Sequence, residues 1–315
     1  MKPRLTIIVP VYNRASEVVA TLETIAASTH RPLWMIVVDN GSTDDSKAVC
    51  EEWANRWRST SLRVDVVEEP YGGAPAARNM GLRLCETRYV YFFDSDDRFS
   101  PDFLEDVETT LLDVDCDLLF TPVRQGAGDS FKVRHYEPTG RASLQIIMSM
   151  LSTHSMVFRT VWLREIGGWD ERLSIWQDWE LGVRALLHQP SVHWQTEKAY
   201  HEILLHRNSI TGASAAERWE GTLEAMRVVK DEVQATESLS PHEYANCWRA
   251  LYLRAMIHAG LLSREGCEEG AQAYTAFAME MIPHPTKPLR MWGMVLRNYV
   301  ASGGRGAWRV ARQLL

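Results

Sequence analysis

The feature that most constrains the fold is a set of short, predominantly apolar runs separated by segments of helical period. "LTIIVPVY" spans Leu5–Tyr12, "LWMIVVD" Leu33–Asp39 and "LRVDVVEE" Leu62–Glu69. "RYVYFFD" spans Arg88–Asp94 and "DLLFTPV" Asp117–Val123. Runs this apolar and β-branched are expected where a strand is buried on both faces, as in a parallel sheet covered by helices. The intervening stretches Ser16–Ala27, Thr43–Trp57, Ala74–Cys85 and Pro101–Leu112 carry apolar residues three and four apart. The alternation predicts a doubly wound, Rossmann-like, mostly parallel α/β sheet.

Sheets of that kind bind ligands beyond the carboxyl ends of their strands. Three polar clusters fall there: Tyr12 to Arg14 after the first run, Asp39 to Ser42 after the second, and Asp94 to Asp97 after the fourth. Asp94 and Asp96 are two apart, and at a strand end residues i and i+2 point the same way. Two converging carboxylates suit a hard cation, Mg2+ or Mn2+, which completes its coordination with water and substrate phosphates. Asp97 reads equally as a cap of the following helix.

The second half is less regular. Arg124–Gly140 reads as a loop or hairpin, Arg141–Leu151 and Asp178–Leu187 as helices, and the chain from Ala215 onward as mostly helical. Ser240-Pro241-His242-Glu243 has the cap, the proline and the third-position glutamate of a helix start. Strand signals cease near residue 213. We therefore divide the chain into 1–213, with halves 1–125 and 126–213, and a helical region 214–315.

The formal charge of −7 over 315 residues argues against general nucleic-acid binding. The tail reverses the sign: Lys287, Arg290, Arg297, Arg305, Arg309 and Arg312 follow Met281 without one acidic residue. Interleaved with Trp, Met, Val and Leu, they suit peripheral contact with an anionic membrane. The alternative is a helix docked on the acidic remainder. The five scattered cysteines lack a CxxC spacing, which points to free thiols in a reducing cytoplasm. No apolar stretch is long enough for a membrane span, and the N-terminal run is too short for a signal peptide.

In this order and spacing, "TIIVPVYNR", "VVDNGSTDDS", "GGAPAARNMGL" and "YFFDSDDRFSPDFL" resemble the nucleotide-binding half of family-2 inverting glycosyltransferases with the GT-A fold. The likeness is strong over roughly 4–125 and continues through "GGWDE", "QDWELGVRAL" and "HRNSITG". It implies a metal-dependent transfer of sugar from a nucleotide-diphosphate donor, UDP by family tendency, to a saccharide or lipid-linked saccharide acceptor in cell-surface assembly.

The resemblance also assigns roles. Pro10, Val11 and Tyr12 line the base pocket, and Asp39 accepts from the ring N–H. Arg14 and Arg78 serve the nucleotide, Asp94 approaches the ribose, and Asp96 binds metal with His206 close by. Asp178 is the base that deprotonates the acceptor hydroxyl. His154, Ser155, Trp169, Asp170 and Trp179 border the acceptor or sugar pocket. Gln177 stands where the family commonly has Glu. That departure gives slight support to a rival, a non-catalytic nucleotide-sugar-binding or scaffold protein on the same fold. A nucleotidyltransferase would need a Gly-rich phosphate loop, which "PVYNRAS" does not supply.

Overall fold

The structure, a computed structural model, describes residues 3–28, 31–127, 130–204, 214–281 and 286–315. Packing divides it into two units. The first comprises Met1–His135, Ser152–Ser174 and Pro190–His206; the second comprises Tyr136–Leu151, Ile175–Gln189 and Arg207–Leu315. A cut at 213 marks where strands cease along the chain, whereas packing groups two earlier segments with the C-terminal helices.

The first unit is built on a seven-stranded sheet. Its strands are β1 (Leu5–Val11), β2 (Leu33–Asp39), β3 (Leu62–Glu68), β4 (Tyr89–Phe92), β5 (Leu118–Phe120), β8 (Met156–Arg159) and β9 (Val192–Trp194), in the order β3-β2-β1-β4-β8-β5-β9. β1 pairs in parallel with β2 and β4, and β2 with β3. Every residue of β1, β2 and β4 is buried, as their uninterrupted apolar runs require. β3 is the edge, and there burial alternates: Leu62 and Val64 point in while Arg63 is exposed. Its outer residues are used locally, Arg63 stacking over Trp34 at 3.9 Å and Asp65 accepting from the Trp34 indole at 2.8 Å.

Helices α1 (Val18–Ala26), α2 (Ser46–Trp57), α3 (Gly73–Leu84) and α4 (Phe103–Asp113) fill the gaps between the first five strands. The segment after β5 is a hairpin, β6 (Val123–Ala127) with β7 (Ser130–Val133), joined by β10 (Tyr200–Leu204) into a small second sheet.

The sheet is mostly parallel, as expected, and the one strand that runs antiparallel to both its neighbours positions the site. β8 runs antiparallel between β4 and β5, with Val157 opposite Tyr91. The residues that lead into β8 therefore lie beside the residues that leave β4. A 3-10 turn, Thr153–Ser155, sits there, and α6 (Thr160–Glu165) follows β8.

The second unit is helical: α5 (Ala142–Met148), α7 (Gln177–Leu187), α8 (Ala215–Ala235), α9 (Pro241–Arg264), α10 (Glu268–Met281), α11 (Lys287–Ala301) and α12 (Ala307–Arg312). Ser240 caps α9 as its sequence predicts, accepting from the Glu243 amide at 3.2 Å. The Glu243 carboxylate does not fold back onto the cap; it accepts from the Ser143 amide at 2.9 Å and from Arg141 at 3.1 Å, holding the start of α5. Arg184 of α7 pairs with Glu180 at 2.6 Å and Glu232 at 3.0 Å, tying α7 to α8. No described helix is long and apolar enough to cross a membrane.

Helices α9 and α11 approach through small residues. A Cβ at Gly260 would lie 2.3 Å from the main-chain oxygen of Arg297, and one at Gly293 would lie 2.5 Å from the Tyr252 hydroxyl. Backbone cannot yield as a side-chain tip does. Gly260→Ala is expected to cost a net ~1–2 kcal/mol by overpacking, despite alanine's better helix propensity. Urea denaturation reads this as a lower midpoint with unchanged slope.

Candidate active site

The loops after β1 and β2 are laced together. The Asn13 amide donates to Ser42 Oγ at 3.1 Å, the Thr43 amide to Asn13 Oδ1 at 2.8 Å, and the Arg14 amide to Ser46 Oγ at 2.7 Å. Asn13 has a left-handed φ of 49°, which asparagine tolerates better than most residues. Asn40 ties in the next loop, donating to the carbonyls of Glu69 at 2.7 Å and Tyr71 at 3.3 Å.

Pro10 and Val11 are buried in β1, whereas the Tyr12 ring is 57% exposed. Asp39, at the end of β2, is 3% exposed. Its Oδ2 accepts from the Ser42 amide at 3.1 Å, but its buried Oδ1 has no partner among the described residues. A buried carboxylate oxygen without a donor is costly. An exposed aromatic face and a spare acceptor at adjacent strand ends suit a planar base carrying an N–H.

The acidic residues after β4 sit in a turn, because the strand stops at Phe92. The two-residue strand period no longer applies to them. Asp94 and Asp97 converge instead, together with His154 of the 3-10 turn: one ligand atom from each lies within 4.8 Å of the others. His154 Nε2 is 3.2 Å from Asp97 Oδ2 and 3.8 Å from Asp94 Oδ2. Asp96 is turned to Arg14, 3.3 Å away. The Thr21 hydroxyl of α1 bridges the turn, donating to the carbonyls of Ser95 at 2.9 Å and Asp97 at 3.0 Å.

Arg78 of α3 donates to Asp94 Oδ1 at 2.8 Å and lies over the Trp169 ring at 4.5 Å. Trp169 is 2% exposed, edge-on to Phe92, and its main chain is clasped by Asn79, which accepts from its amide at 2.9 Å and donates to its carbonyl at 2.8 Å. Placed thus, Trp169 backs the Arg78 guanidinium. Asp170 pairs with Arg172 at 2.5 Å. Ser155 is buried, and its hydroxyl is used within its own turn, accepting from the Ser152 amide at 2.8 Å and donating to its carbonyl at 2.9 Å.

The electrostatics follow from this geometry. Burial pushes the Asp94 carboxyl up, but Arg78, His154 and Arg14 outweigh it, and the group titrates below the ordinary carboxylate range. Burial pulls His154 down, yet Asp94 and Asp97 raise it above the ordinary histidine value. Two carboxylates and an imidazole form a donor set that fits Mn2+ or Mg2+.

Beneath this cluster is an aromatic floor that sequence reading did not identify. His201 of β10 is 1% exposed, packed against Phe103 at 4.3 Å, Phe99 at 4.8 Å and Phe93 at 5.1 Å. Its Nδ1 accepts from the Ser100 amide at 3.2 Å. Burial, then the charge of His154, hold it well below the ordinary value of 6.5. The unfolded chain therefore binds this proton below about pH 6.5 and the folded chain does not, so stability is lost as pH falls through that value. His201→Phe is expected to remove about 1.4 kcal/mol per pH unit of that acid dependence. Urea midpoints of both proteins at pH 5.5 and 7.5 measure it as a difference in slope, in which the opposite contribution of His154 cancels.

The remaining predicted residues lie in the helical unit or outside the description. Asp178 is in the first turn of α7 and half-buried, and its Oδ1 accepts from the Trp179 amide at 2.8 Å. Trp176, just before the helix, has a left-handed φ of 58°. Trp179 is 2% exposed and donates to the Ile146 carbonyl at 3.2 Å, a core position. His206 lies outside the described residues.

Comparison with known proteins bears on the family and the fold. The sequence model described as glycosyl transferase family 2 matches residues 6–167, just over half of the chain. Glycosyltransferase GlyA of Streptococcus pneumoniae serotype 4 is 33% identical over 115 residues, covering 36% of this chain and 16% of that protein. The putative teichuronic acid biosynthesis glycosyltransferase TuaG of Bacillus subtilis is 34% identical over 122 residues, covering 38% of this chain and 46% of that protein. The chain thus spans less than half the length of these curated relatives.

Among solved structures, residues 1–349 of S. aureus TarS in complex with UDP-GlcNAc align with a TM-score of 0.70 at 19% identity, covering 99% of this chain and 91% of that one. The mannosyltransferase PcManGT of Pyrobaculum calidifontis, in complex with GDP-Man and Mn2+, aligns at 0.62 and 17%, covering 99% and 88%. These likenesses establish the GT-A fold. With more than half its length matched by the family's sequence pattern, the chain belongs to glycosyl transferase family 2.

Proposed function

We propose that the protein is a metal-dependent inverting glycosyltransferase that moves a sugar from a nucleoside-diphosphate donor, a UDP-sugar, to an acceptor hydroxyl in cell-surface polysaccharide or glycolipid assembly. The observation that carries it is the convergence of Asp94, Asp97 and His154 at the end of β4. The base sits against Tyr12, and Asp39 Oδ1 accepts from its N–H. Asp94, Asp97 and His154 hold Mn2+ or Mg2+, with Asp96 beside them on the same turn. The bound cation supplies charge stabilisation for the departing diphosphate. Arg78 holds Asp94 ionised and oriented, and Arg14 offers a second cation to the phosphates.

Asp178 takes the proton from the acceptor hydroxyl as its oxygen attacks the anomeric carbon opposite the nucleotide. One displacement forms the new glycosidic bond, breaks the bond to the diphosphate and inverts configuration. Support comes from the family match, from a neighbour solved with UDP-GlcNAc and from another solved with GDP-Man and Mn2+. The teichuronic acid name of one relative supports a cell-surface product.

A thermal-shift panel of nucleotide sugars with and without Mn2+ tests the reading. A ligand at about 100 times its Kd adds about 2.7 kcal/mol of apparent stability. We expect that gain for a UDP-sugar with Mn2+ and a much smaller one without it. A panel in which no nucleotide sugar shifts the melt contradicts the proposal.

A further inference from the structure

The last two helices carry a surface that the transfer reaction does not use. In α11 the residues Gly293, Leu296 and Val300 are buried and form its inner face. On the opposite side, at the three-and-four spacing of one helical face, stand Met291, Met294, Val295 and Asn298. Met291 is 54% exposed, Met294 51% and Val295 46%. Tyr299 borders this face, its hydroxyl donating to the Arg305 carbonyl at 2.9 Å. With Val310 of α12, five of the twelve exposed large apolar residues of the described chain fall in these two helices. That is a concentration, whereas single exposed apolar residues elsewhere need no explanation.

The charge on the same helices has one sign. Lys287 precedes Met291 by one turn on the exposed face, and Arg290 and Arg297 flank it. These three, with Arg305 and Arg309, enter no ion pair among the described residues, whereas Arg312 is engaged by Glu137. No acidic residue occurs from Met281 to the end. A tail folded onto an acidic surface would neutralise these cations. They are instead left beside exposed methionine, valine and tyrosine.

From this juxtaposition we infer that the outer face of α11, with the adjoining basic residues of α12, is a docking surface for an anionic phospholipid bilayer. The helix lies in the plane of the interface, its apolar stripe entering the acyl boundary and its lysine and arginines reaching headgroup phosphates. Basic residues near such a surface contribute individually modest attractions that add up, and apolar insertion supplies the part that salt does not screen. The surface is independent of the donor chemistry, so its failure leaves the transfer reading standing, and the reverse.

The test is co-sedimentation of the full chain with phosphatidylcholine vesicles, with and without phosphatidylglycerol. Two surface variants accompany it: Lys287→Gln/Arg290→Gln/Arg297→Gln, and Met291→Ser/Met294→Ser/Val295→Ser. Circular dichroism melts confirm that both fold. The expected result is binding to the anionic vesicles alone, weakened by added salt. The charge variant lowers the partition coefficient on the order of 100-fold, from about fivefold per basic residue. The apolar variant lowers it at least about tenfold. Equal binding to neutral vesicles, no binding, or full binding by either folded variant overturns the proposal. A concentration-dependent dimer that the apolar variant abolishes also overturns it, because the face would then belong to a second copy of the chain.

Discussion

On the proposed mechanism, replacing Asp178 by Asn is expected to lower turnover by about 100- to 10,000-fold, the usual contribution of a positioned general base, and to leave donor affinity unchanged. The reason lies in what each residue touches. Asp178 stands in the first turn of α7 with one carboxylate oxygen taken by the Trp179 amide. Asn supplies a carbonyl oxygen for that same bond, so the helix start is preserved and the fold is not at issue. What Asn lacks is the ability to take a proton. Single-turnover kinetics with a UDP-sugar and calorimetric titration of UDP separate the two effects. Retained turnover removes Asp178 from its role, and lost UDP affinity shows that the substitution disturbed more than proton transfer.

Asp97→Asn has its effect on the other side of the reaction. It is expected to weaken Mn2+-dependent nucleotide binding by at least about 100-fold, because second-sphere changes alone cost about 10- to 100-fold and Asp97 is proposed as a direct ligand. Asp97 is 6% exposed and partners His154 at 3.2 Å, so the amide keeps the shape and removes the charge. Metal-independent contacts at Tyr12 and Asp39 are untouched. Titrating UDP with and without Mn2+ on both proteins measures the metal-dependent increment. An increment equal to that of the unaltered protein contradicts the assignment of Asp97.

Much of this was legible in the chain. β1, β2 and β4 announce themselves because burial on both faces leaves no room for polar residues. Their carboxyl ends drew attention to Tyr12, Asp39 and Asp94, and the structure puts these residues at or just beyond the ends of β1, β2 and β4. The acidic cluster was read less well, for a geometric reason. Asp94 and Asp96 converge only if the strand continues through them, and it ends at Phe92. In the turn that follows, residues three apart meet, which brings in Asp97.

His154 was out of reach of local spacing. It joins Asp94 through the antiparallel insertion of β8 beside β4, a topological fact that no local pattern encodes. Trp169 and Trp179 show the converse limit. The resemblance sets both at the border of the acceptor or sugar pocket, yet both are buried, one backing Arg78 and one bonded to Ile146. The grouping of α5 and α7 with the C-terminal helices was hidden for the same reason, since sequence order shows where strands stop and not what packs together.

The central claim is that Asp94, Asp97 and His154 bind the divalent cation that grips the donor. Crystals grown with Mn2+ and UDP, measured at the manganese absorption edge, test it most directly. The account predicts one anomalous peak among these three side chains, beside the bound nucleotide. A clear nucleotide with no manganese peak among them, or with the peak elsewhere, contradicts it.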